Sequence, residues 1–211
     1  AQNISVDDMG YPEFDICRKN NRIAHVHLSV PGEHNVLNSM AAFVVGLYLR
    51  VEIPVICETL RSFNGTHRRF DLTGITKEGV RVIDDYAHHP TEIKATLSAT
   101  QNVKHEKLWL IFQPHTYTRT KALFGDFVDA FADTDVLILT DIYAAREQDI
   151  YDVSSYKLCT AMKEKYPDRK IYYVQDFEDI VNYIRKNAGP DDIVMTMGAG
   201  DVYKIGEMLV K

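Results

Sequence analysis

Three side chains that bind anions stand close together where an apolar run gives way to a helical pattern. His115, Arg119 and Lys121 follow the run 108–112, which has the composition of a buried strand. In an open parallel sheet, ligands bind beyond the carboxyl ends of the strands. Because guanidinium and imidazolium groups bind carboxylates and phosphates, we expect His115 and Arg119 to contact an anion. The alternative is an ordinary surface helix capped by Thr118.

Two adjacent aspartates, Asp84 and Asp85, end the preceding apolar run 80–83. Neighbouring side chains of a strand point to opposite faces, so only one aspartate can face a ligand. A carboxylate there can accept hydrogen bonds from ribose hydroxyls, or it can favour the next helix electrostatically. His88 and His89 follow, but two neighbouring histidines without a further ligand make a weak metal site. We expect them to make capping and polar contacts and to bind no metal.

A second polar group opens a predicted helix nearer the start of the chain. His34, Asn35 and Asn38 lie in its first turn. An amide at this position can both donate to and accept from the edge of a purine. Capping of the helix by Asn35 is the alternative.

Arg68 and Arg69 fall in a predicted strand, where alternation sends their side chains to opposite faces. Phe70 is expected to mark the core face. Arg69 is therefore the better candidate for contact with a ligand.

The glycines of the sequence match neither of two glycine-rich nucleotide-binding motifs. Gly198 and Gly200 follow an apolar run, but Tyr203 stands where the dinucleotide-binding pattern needs Gly or Ala. The sequence has no G-x-x-x-x-G-K-[ST] loop either, so any ATP bound here lacks that phosphate cradle. We expect a tight turn at 198–200 that brings backbone close to a ligand.

The elements that must position these residues alternate regularly. Short apolar runs, typical of strands covered on both faces, occur at 80–83, 108–112, 136–139, 171–174 and 193–196. Helical patterns separate them at 90–100, 119–131, 154–165 and 177–187. Four consecutive β-α-β units predict an α/β fold with a doubly wound, mostly parallel sheet and right-handed crossovers.

The first part of the chain has a different pattern. Alternation predicts antiparallel strands at 14–18 and 22–29 with a turn at 19–21, and helices follow at 36–48 and 55–62. A strand, a turn and a strand are then expected over 68–85. This change of pattern places a boundary near 65–69.

The composition is that of a globular protein with a substantial core, because 45% of the residues are hydrophobic and 26% are charged. The net charge of −6 and the lack of a basic run argue against a nucleic-acid partner. Cys17, Cys57 and Cys159 show neither a zinc nor a disulfide pattern, which fits a reducing compartment. The longest apolar stretch, 40–49, is shorter than the ~20 residues of a membrane span.

Five segments in order resemble the Mur ligases: 32–38, 63–70, 84–90, 112–120 and 198–201, of which 112–120 is the most specific. The resemblance implies an N-terminal UDP-sugar domain, a central ATPase domain and a C-terminal Rossmann-like ligase domain. This chain resembles the tail of the central domain, 1–66, followed by the whole ligase domain, 67–211.

The resemblance also implies a reaction, namely ATP-dependent amide formation in cytoplasmic peptidoglycan synthesis through an acyl phosphate. It is greatest to the members whose substrates are ATP, UDP-N-acetylmuramate and L-alanine. Matching positions then carry the family's roles: adenine contacts by His34, Asn35 and Asn38, a ribose contact by Asp85, a phosphate contact by Arg69, and contacts to the amino acid or reacting carboxylate by His88, His115 and Arg119.

Two positions depart from the family pattern, since Thr116 stands where relatives often carry Arg and Ala87 where Gly is frequent. The family's phosphate loop and Mg²⁺ ligands are expected upstream of Ala1, so the isolated chain should be inactive. A murein-peptide ligase or a folylpolyglutamate synthase would share this architecture. A free-standing nucleotide-binding or interaction module is the alternative from another functional class.

Overall fold

The computed structural model describes residues 1–7, 10–19 and 21–211. The chain divides into two compact units, residues 1–66 with 98–104 and residues 67–97 with 105–211. Each unit has its own hydrophobic core. The turn expected at 19–21 includes residue 20, which lies outside the described residues.

The first unit combines a small antiparallel sheet with two helices. The strands pair in the order β1-β2-β3, and the bounds are β1 Gln2–Val6, β2 Pro12–Arg18, β3 Asn21–His27, α1 Glu33–Tyr48 and α2 Ile53–Ser62. The two predicted strands and the two predicted helices are confirmed with small shifts at their ends. The strand β1 was not predicted, because its five residues are all exposed and Ile4 and Val6 alone make too short an alternating pattern.

The core of the first unit lies between the sheet and the helices. Phe14 and Val26 are paired across β2 and β3, and both are buried. The helices contribute Phe43 and Ile56 to the same cluster. A β-carbon on Gly46 would lie 2.7 Å from Cδ1 of Ile56, so glycine allows α1 and α2 to pack closely.

The second unit is a doubly wound α/β domain. Its six-stranded sheet has the order β4-β5-β9-β6-β7-β8, and only β4 runs antiparallel. The strands are β4 Asp71–Ile75, β5 Arg81–Asp85, β6 Leu108–Phe112, β7 Val136–Leu139, β8 Lys170–Tyr173 and β9 Ile193–Met197. The predicted mostly parallel sheet is confirmed.

Helices cover both faces of this sheet: α3 Pro90–Thr100, α4 Tyr117–Ala122, α5 Phe124–Val128, α6 Ser155–Lys165, α7 Phe177–Asn187 and α8 Tyr203–Val210. On one face Trp109 and Ile111 join a core with residues of α7 and α8. On the other face the ring of Phe112 packs against Phe127 and Phe131. All residues of β6, β7 and β9 are therefore buried, which explains why these strands are apolar throughout except for Thr196 of β9.

Two predicted elements differ from the structure. The helix expected at 119–131 is divided into α4 and α5 at Leu123, whose φ and ψ of −109° and 22° are not helical. The strand expected from Arg68 begins only at Asp71. Residues 68–70 form a turn instead, with φ of 61° at Arg68 and 49° at Phe70. The Asp71 carboxylate accepts the backbone N–H of Arg68 and so stabilises this turn.

Within the described parts of the chain, no helix has the length and apolar composition needed to cross a membrane.

Candidate functional site

The loops singled out in the sequence leave the same edge of the second unit's sheet. Asp85, Met197, Phe112 and Leu139 occupy matching register positions at the carboxyl ends of four neighbouring parallel strands. The polar residues that follow β5, β6, β7 and β9 therefore meet beyond this edge. This is where open α/β sheets bind their ligands.

His115 and Arg119 contact each other at this edge. Nη1 of Arg119 lies 3.1 Å from Nδ1 of His115 and also donates to the His115 carbonyl at 3.2 Å. A guanidinium group has only donors, so Nδ1 must accept and the ring proton lies on Nε2. Burial lowers the pKa of His115, and the charge of Arg119 lowers it further. His115 is thus held as a neutral imidazole that offers an Nε2–H donor.

His88 lies beside His115, with the two ring centroids 5.8 Å apart. Its Nδ1 is 2.9 Å from the carbonyl oxygen of Tyr86, which can only accept. Nδ1 of His88 therefore carries a proton, and in the neutral ring Nε2 has a free lone pair. With both rings neutral, the two histidines have opposite tautomers, so the pair offers one donor and one acceptor.

Backbone contacts fix the loops that carry these rings. The carboxylate of Glu92 accepts the N–H groups of His88 and His89. Nδ1 of His89 accepts the N–H of Thr91 at 3.2 Å, which is a capping contact of the kind expected for these histidines. The carboxylate of Glu147 accepts the N–H and hydroxyl of Thr118 at the start of α4. Thr118 is therefore not the cap of α4, because the residue at the cap position is Thr116.

Asp85 is buried with both carboxylate oxygens engaged. Oδ1 accepts the N–H of Ala87 at 2.7 Å and Oδ2 accepts the N–H of Phe70 at 2.9 Å. Burial raises the pKa of Asp85, although these two hydrogen bonds oppose the shift. The carboxylate thus ties the loop after β5 to the turn before β4.

Arg68 and Asp84 form a buried ion pair that sequence analysis did not identify. Nε of Arg68 lies 2.7 Å from Oδ2 of Asp84, and their side chains are only 13% and 6% exposed. The same guanidinium donates to the carbonyls of Gly198 and Gly200 at 2.7 and 3.1 Å. The hydroxyl of Thr196 donates to Asp84 at 2.6 Å. Arg68 therefore holds the glycine turn after β9 in place.

Arg69 has the opposite environment. Its side chain is exposed, and its guanidinium carbon lies 5.4 Å from the centroid of the Tyr86 ring. The premise that both arginines lie in a strand is wrong, because positive φ at Arg68 places them in a turn. Of the two arginines, Arg69 is nevertheless the one whose charged group is exposed and can contact a bound anion.

Gln113 and Tyr143 also went unrecognised in the sequence. The side-chain amide of Gln113 accepts the N–H groups of Asp201 and Val202 and donates to the Asp201 carboxylate. The ring of Tyr143 is stacked on His115. The only available signal was position, since both residues follow buried strands at the carboxyl edge.

His34, Asn35 and Asn38 lie in the first unit. The Asn35 amide donates to the Pro31 carbonyl at 2.7 Å, and Asn38 donates to the Asn35 oxygen at 3.1 Å. Asn35 does not cap α1, whose cap residue is Gly32. His34 and Asn38 are exposed.

Asn35 and Asn38 line a cavity of about 290 Å³. Its other walls are mostly apolar and include Leu28, Leu60 and Phe63. Apolar walls with a few convergent polar groups are typical of sites for planar organic ligands.

The described part of the chain gathers no set of metal ligands. Mg²⁺ binds through one or two carboxylates together with waters and substrate phosphate oxygens. Among residues 1–7, 10–19 and 21–211, no group of three or more His, Cys, Asp or Glu side chains could hold a metal ion. No chemical step is therefore assigned to Mg²⁺ on these residues.

Comparisons with known proteins agree with this architecture. Residues 68–200 match the family described as Mur ligase, glutamate ligase domain. UDP-N-acetylmuramate–L-alanine ligases are 49% identical over 210 residues in Clostridium acetobutylicum and 47% identical over 211 residues in Acetivibrio thermocellus. The crystal structure of UDP-N-acetylmuramate-alanine ligase MurC from Thermotoga maritima matches with a TM-score of 0.80 and 27% identity, over 96% of this chain and 43% of that one.

These relatives are longer than the chain described here. All of its residues align with the two sequence relatives, but they span only 45% and 44% of those proteins. The family match alone covers more than half of the chain. The predicted family is confirmed, and the chain belongs to the Mur ligases, with the family's glutamate ligase domain in its second unit.

Proposed function

We propose that this chain is the C-terminal part of an ATP-dependent ligase that joins L-alanine to UDP-N-acetylmuramate in cytoplasmic peptidoglycan synthesis. The observation that carries the proposal is the cluster of His88, His115 and Arg119 at the carboxyl edge of the sheet. The identity to alanine ligases along the whole chain supports this choice of substrate. In the proposed reaction, the muramate carboxylate takes the γ-phosphoryl group of ATP, and the amine of alanine then displaces phosphate from the acyl phosphate.

Arg119 is proposed to bind the carboxylate of the incoming alanine. Its guanidinium donates from Nη1 to His115, and the three N–H donors of Nη2 and Nε remain on the fork. A carboxylate can accept two of these in parallel, which fixes both the position and the direction of the amino acid. Thr116 of the same loop carries no charge, so carboxylate binding is assigned to Arg119.

His88 is proposed to act on the nitrogen of the attacking amine, and His115 on the acyl oxygen that the amine's attack makes negative. The free Nε2 lone pair of His88 can accept a proton from the amine as it attacks the acyl carbon. Nε2–H of His115 can donate to the oxygen that becomes negative in the tetrahedral intermediate. Because the low pKa of His115 keeps it neutral, it acts as a donor and not as a source of positive charge.

The remaining predicted residues are proposed to bind ATP. The cavity lined by Asn35 and Asn38 suits an adenine, with the two amides as polar groups of its wall. His34, in the same first turn of α1, is proposed as a further adenine contact. Arg69 supplies an exposed charge for phosphate oxygens. Asp85 is proposed as a ribose contact, and its two carboxylate oxygens also accept the backbone N–H groups of Ala87 and Phe70.

The phosphate loop and the ligands for Mg²⁺ are proposed to lie in the part of the enzyme that this chain lacks. The sequence contains no G-x-x-x-x-G-K-[ST] loop, and the relatives have more than half of their length outside the matched region. The 211-residue chain alone is therefore expected to be inactive.

The experiment is to produce the longer protein from its gene and incubate it with ATP, UDP-N-acetylmuramate and L-alanine. We expect phosphate release that depends on L-alanine, and a UDP-sugar product heavier by one alanine residue. The 211-residue chain serves as the control and should release no phosphate. Product formed from a murein peptide in place of alanine would contradict the proposed substrate, and a reading frame that starts at Ala1 would favour a free-standing module.

A further inference from the structure

Tyr143, in the loop after β7, fills the space between the glycine turn and His115. Its ring is stacked on the His115 ring, with centroids 5.7 Å apart and planes 17° apart. Gly200 also lies against this side chain, because a β-carbon there would be only 2.6 Å from Cγ of Tyr143 and 2.2 Å from Oε1 of Gln113. A β-carbon does not make nonbonded contacts this short in proteins, so only glycine leaves room for the ring. Tyr143 is thus packed between two of the loops that form the site.

The backbone of Tyr143 is also tied to the loop that carries His115. Tyr143 N–H donates to the Pro114 carbonyl at 2.8 Å, and Thr116 N–H donates to the Tyr143 carbonyl at 2.9 Å. Thr116, which donates the second of these bonds, adopts a φ of 69°. This conformation is rare for a β-branched residue and costs about 1–3 kcal/mol. The ties to Tyr143 therefore hold the His115 loop in a conformation that it would not favour by itself.

We propose that Tyr143 is a positioning residue, which holds the imidazole of His115 so that Nδ1 faces Arg119 and Nε2–H faces the reacting groups. That His115 serves the reaction rests on the proposed function above. That Tyr143 sets its orientation rests on the stack, the two backbone bonds and the close approach of Gly200.

The orientation has an electrostatic consequence. The charged or titratable groups that act on His115 are Arg119, His88 and Glu147, of which the first two disfavour the imidazolium and the last favours it. Burial is the largest influence and also favours the neutral ring. Removing the Tyr143 ring would admit water to the imidazole and free it to turn away from Arg119. Both changes raise the pKa of His115 and mix its two neutral tautomers.

The test is a ¹⁵N NMR titration of the His115 side chain in the 211-residue chain, because ring nitrogen shifts report the tautomer and the pKa directly. Tyr143→Ala should raise the pKa and lose the single Nε2–H signature. Tyr143→Phe retains the ring and should restore both. Tyr156→Ala removes another exposed tyrosine from the same unit, on α6, and should leave His115 unchanged.

Gly200→Ala provides a second perturbation in case Tyr143→Ala fails to fold. Its new methyl group would meet both Oε1 of Gln113 and Cγ of Tyr143, so it should displace the tyrosine ring and change His115 in the same direction. The proposal is overturned if His115 keeps its tautomer and pKa in both Tyr143→Ala and Gly200→Ala. Because this readout needs no substrate, such a failure is distinct from failure of the proposed reaction, which the product assay alone decides.

Discussion

Replacing Arg68 with alanine should destabilise the second unit far more than the same change at its neighbour Arg69. Arg68 binds the carboxylate of Asp84 at 2.7 Å in a place where both side chains are nearly buried. Arg69 is exposed and contacts only the face of Tyr86 among the interactions described above. The two residues differ by one position, so the pair forms a closely matched comparison.

The magnitude follows from what each substitution leaves behind. Without Arg68, the Asp84 carboxylate stays buried with the Thr196 hydroxyl as its remaining partner, and removing one member of a buried ion pair costs about 3–5 kcal/mol. The carbonyls of Gly198 and Gly200 also lose their donor. Loss of the exposed cation–π contact of Arg69 costs only about 0.5–1 kcal/mol. Alanine and arginine both have a β-carbon, so the strain of a positive φ at position 68 is similar in both chains. This strain therefore does not contribute to the change in the free energy of unfolding.

The free energy of unfolding can be measured in urea through the fluorescence of Trp109. It is the sole tryptophan of the sequence, lies in β6 of the second unit and is buried. Its indole N–H donates to Asp192 at 2.9 Å, so its emission should change when this unit unfolds. A loss below about 1 kcal/mol for Arg68→Ala, or equal losses for both variants, would refute the reasoning that this ion pair holds the site's loops.

Two further predictions concern single groups in the second unit. Gly198→Ala should cost about 1–3 kcal/mol, because φ is 147° and the new β-carbon would lie 2.6 Å from the Gln113 carbonyl oxygen, whereas Gly125→Ala, which meets open space, should cost nothing. Burial, followed by the hydrogen bond to Asp141, raises the pKa of Tyr173 from 10.0 to about 12. The folded chain therefore holds this proton more tightly than the unfolded chain, so the stabilisation is complete below pH 10 and is lost between pH 10 and 12. The urea midpoint of the unaltered chain should therefore fall between pH 10 and pH 12, and Tyr173→Phe should reduce that fall. An equal fall in the variant would contradict the assignment of the raised pKa to Tyr173.

The sequence was most informative where burial is greatest. The apolar runs of β6, β7 and β9 predicted covered parallel strands, and the structure has strands at those positions. From that topology alone, the loops carrying His88 and His115 were expected at one edge, and their rings are neighbours.

The features that the sequence did not predict depend largely on contacts between residues that are distant in the chain. The turn at 68–70 is stabilised by the Asp71 and Asp85 carboxylates, and no local propensity indicates a positive φ at arginine or phenylalanine. The stack of Tyr143 on His115 joins residues 28 positions apart in the chain, through loops that only the folded sheet brings together. Periodicity indicates which face of an element is buried, but it carries no information about contacts between side chains of distant loops.

The central claim is that the edge of the second unit binds the amino acid through Arg119, and steady-state kinetics of the longer enzyme test it most directly. Arg119→Ala should lower kcat/KM for L-alanine by roughly 10²-fold, the effect of losing about 2–4 kcal/mol from a charge-assisted contact in an active site. The KM for ATP should stay close to that of the unaltered enzyme. Unchanged kcat/KM for alanine, or an equal loss of ATP affinity, would contradict the claim.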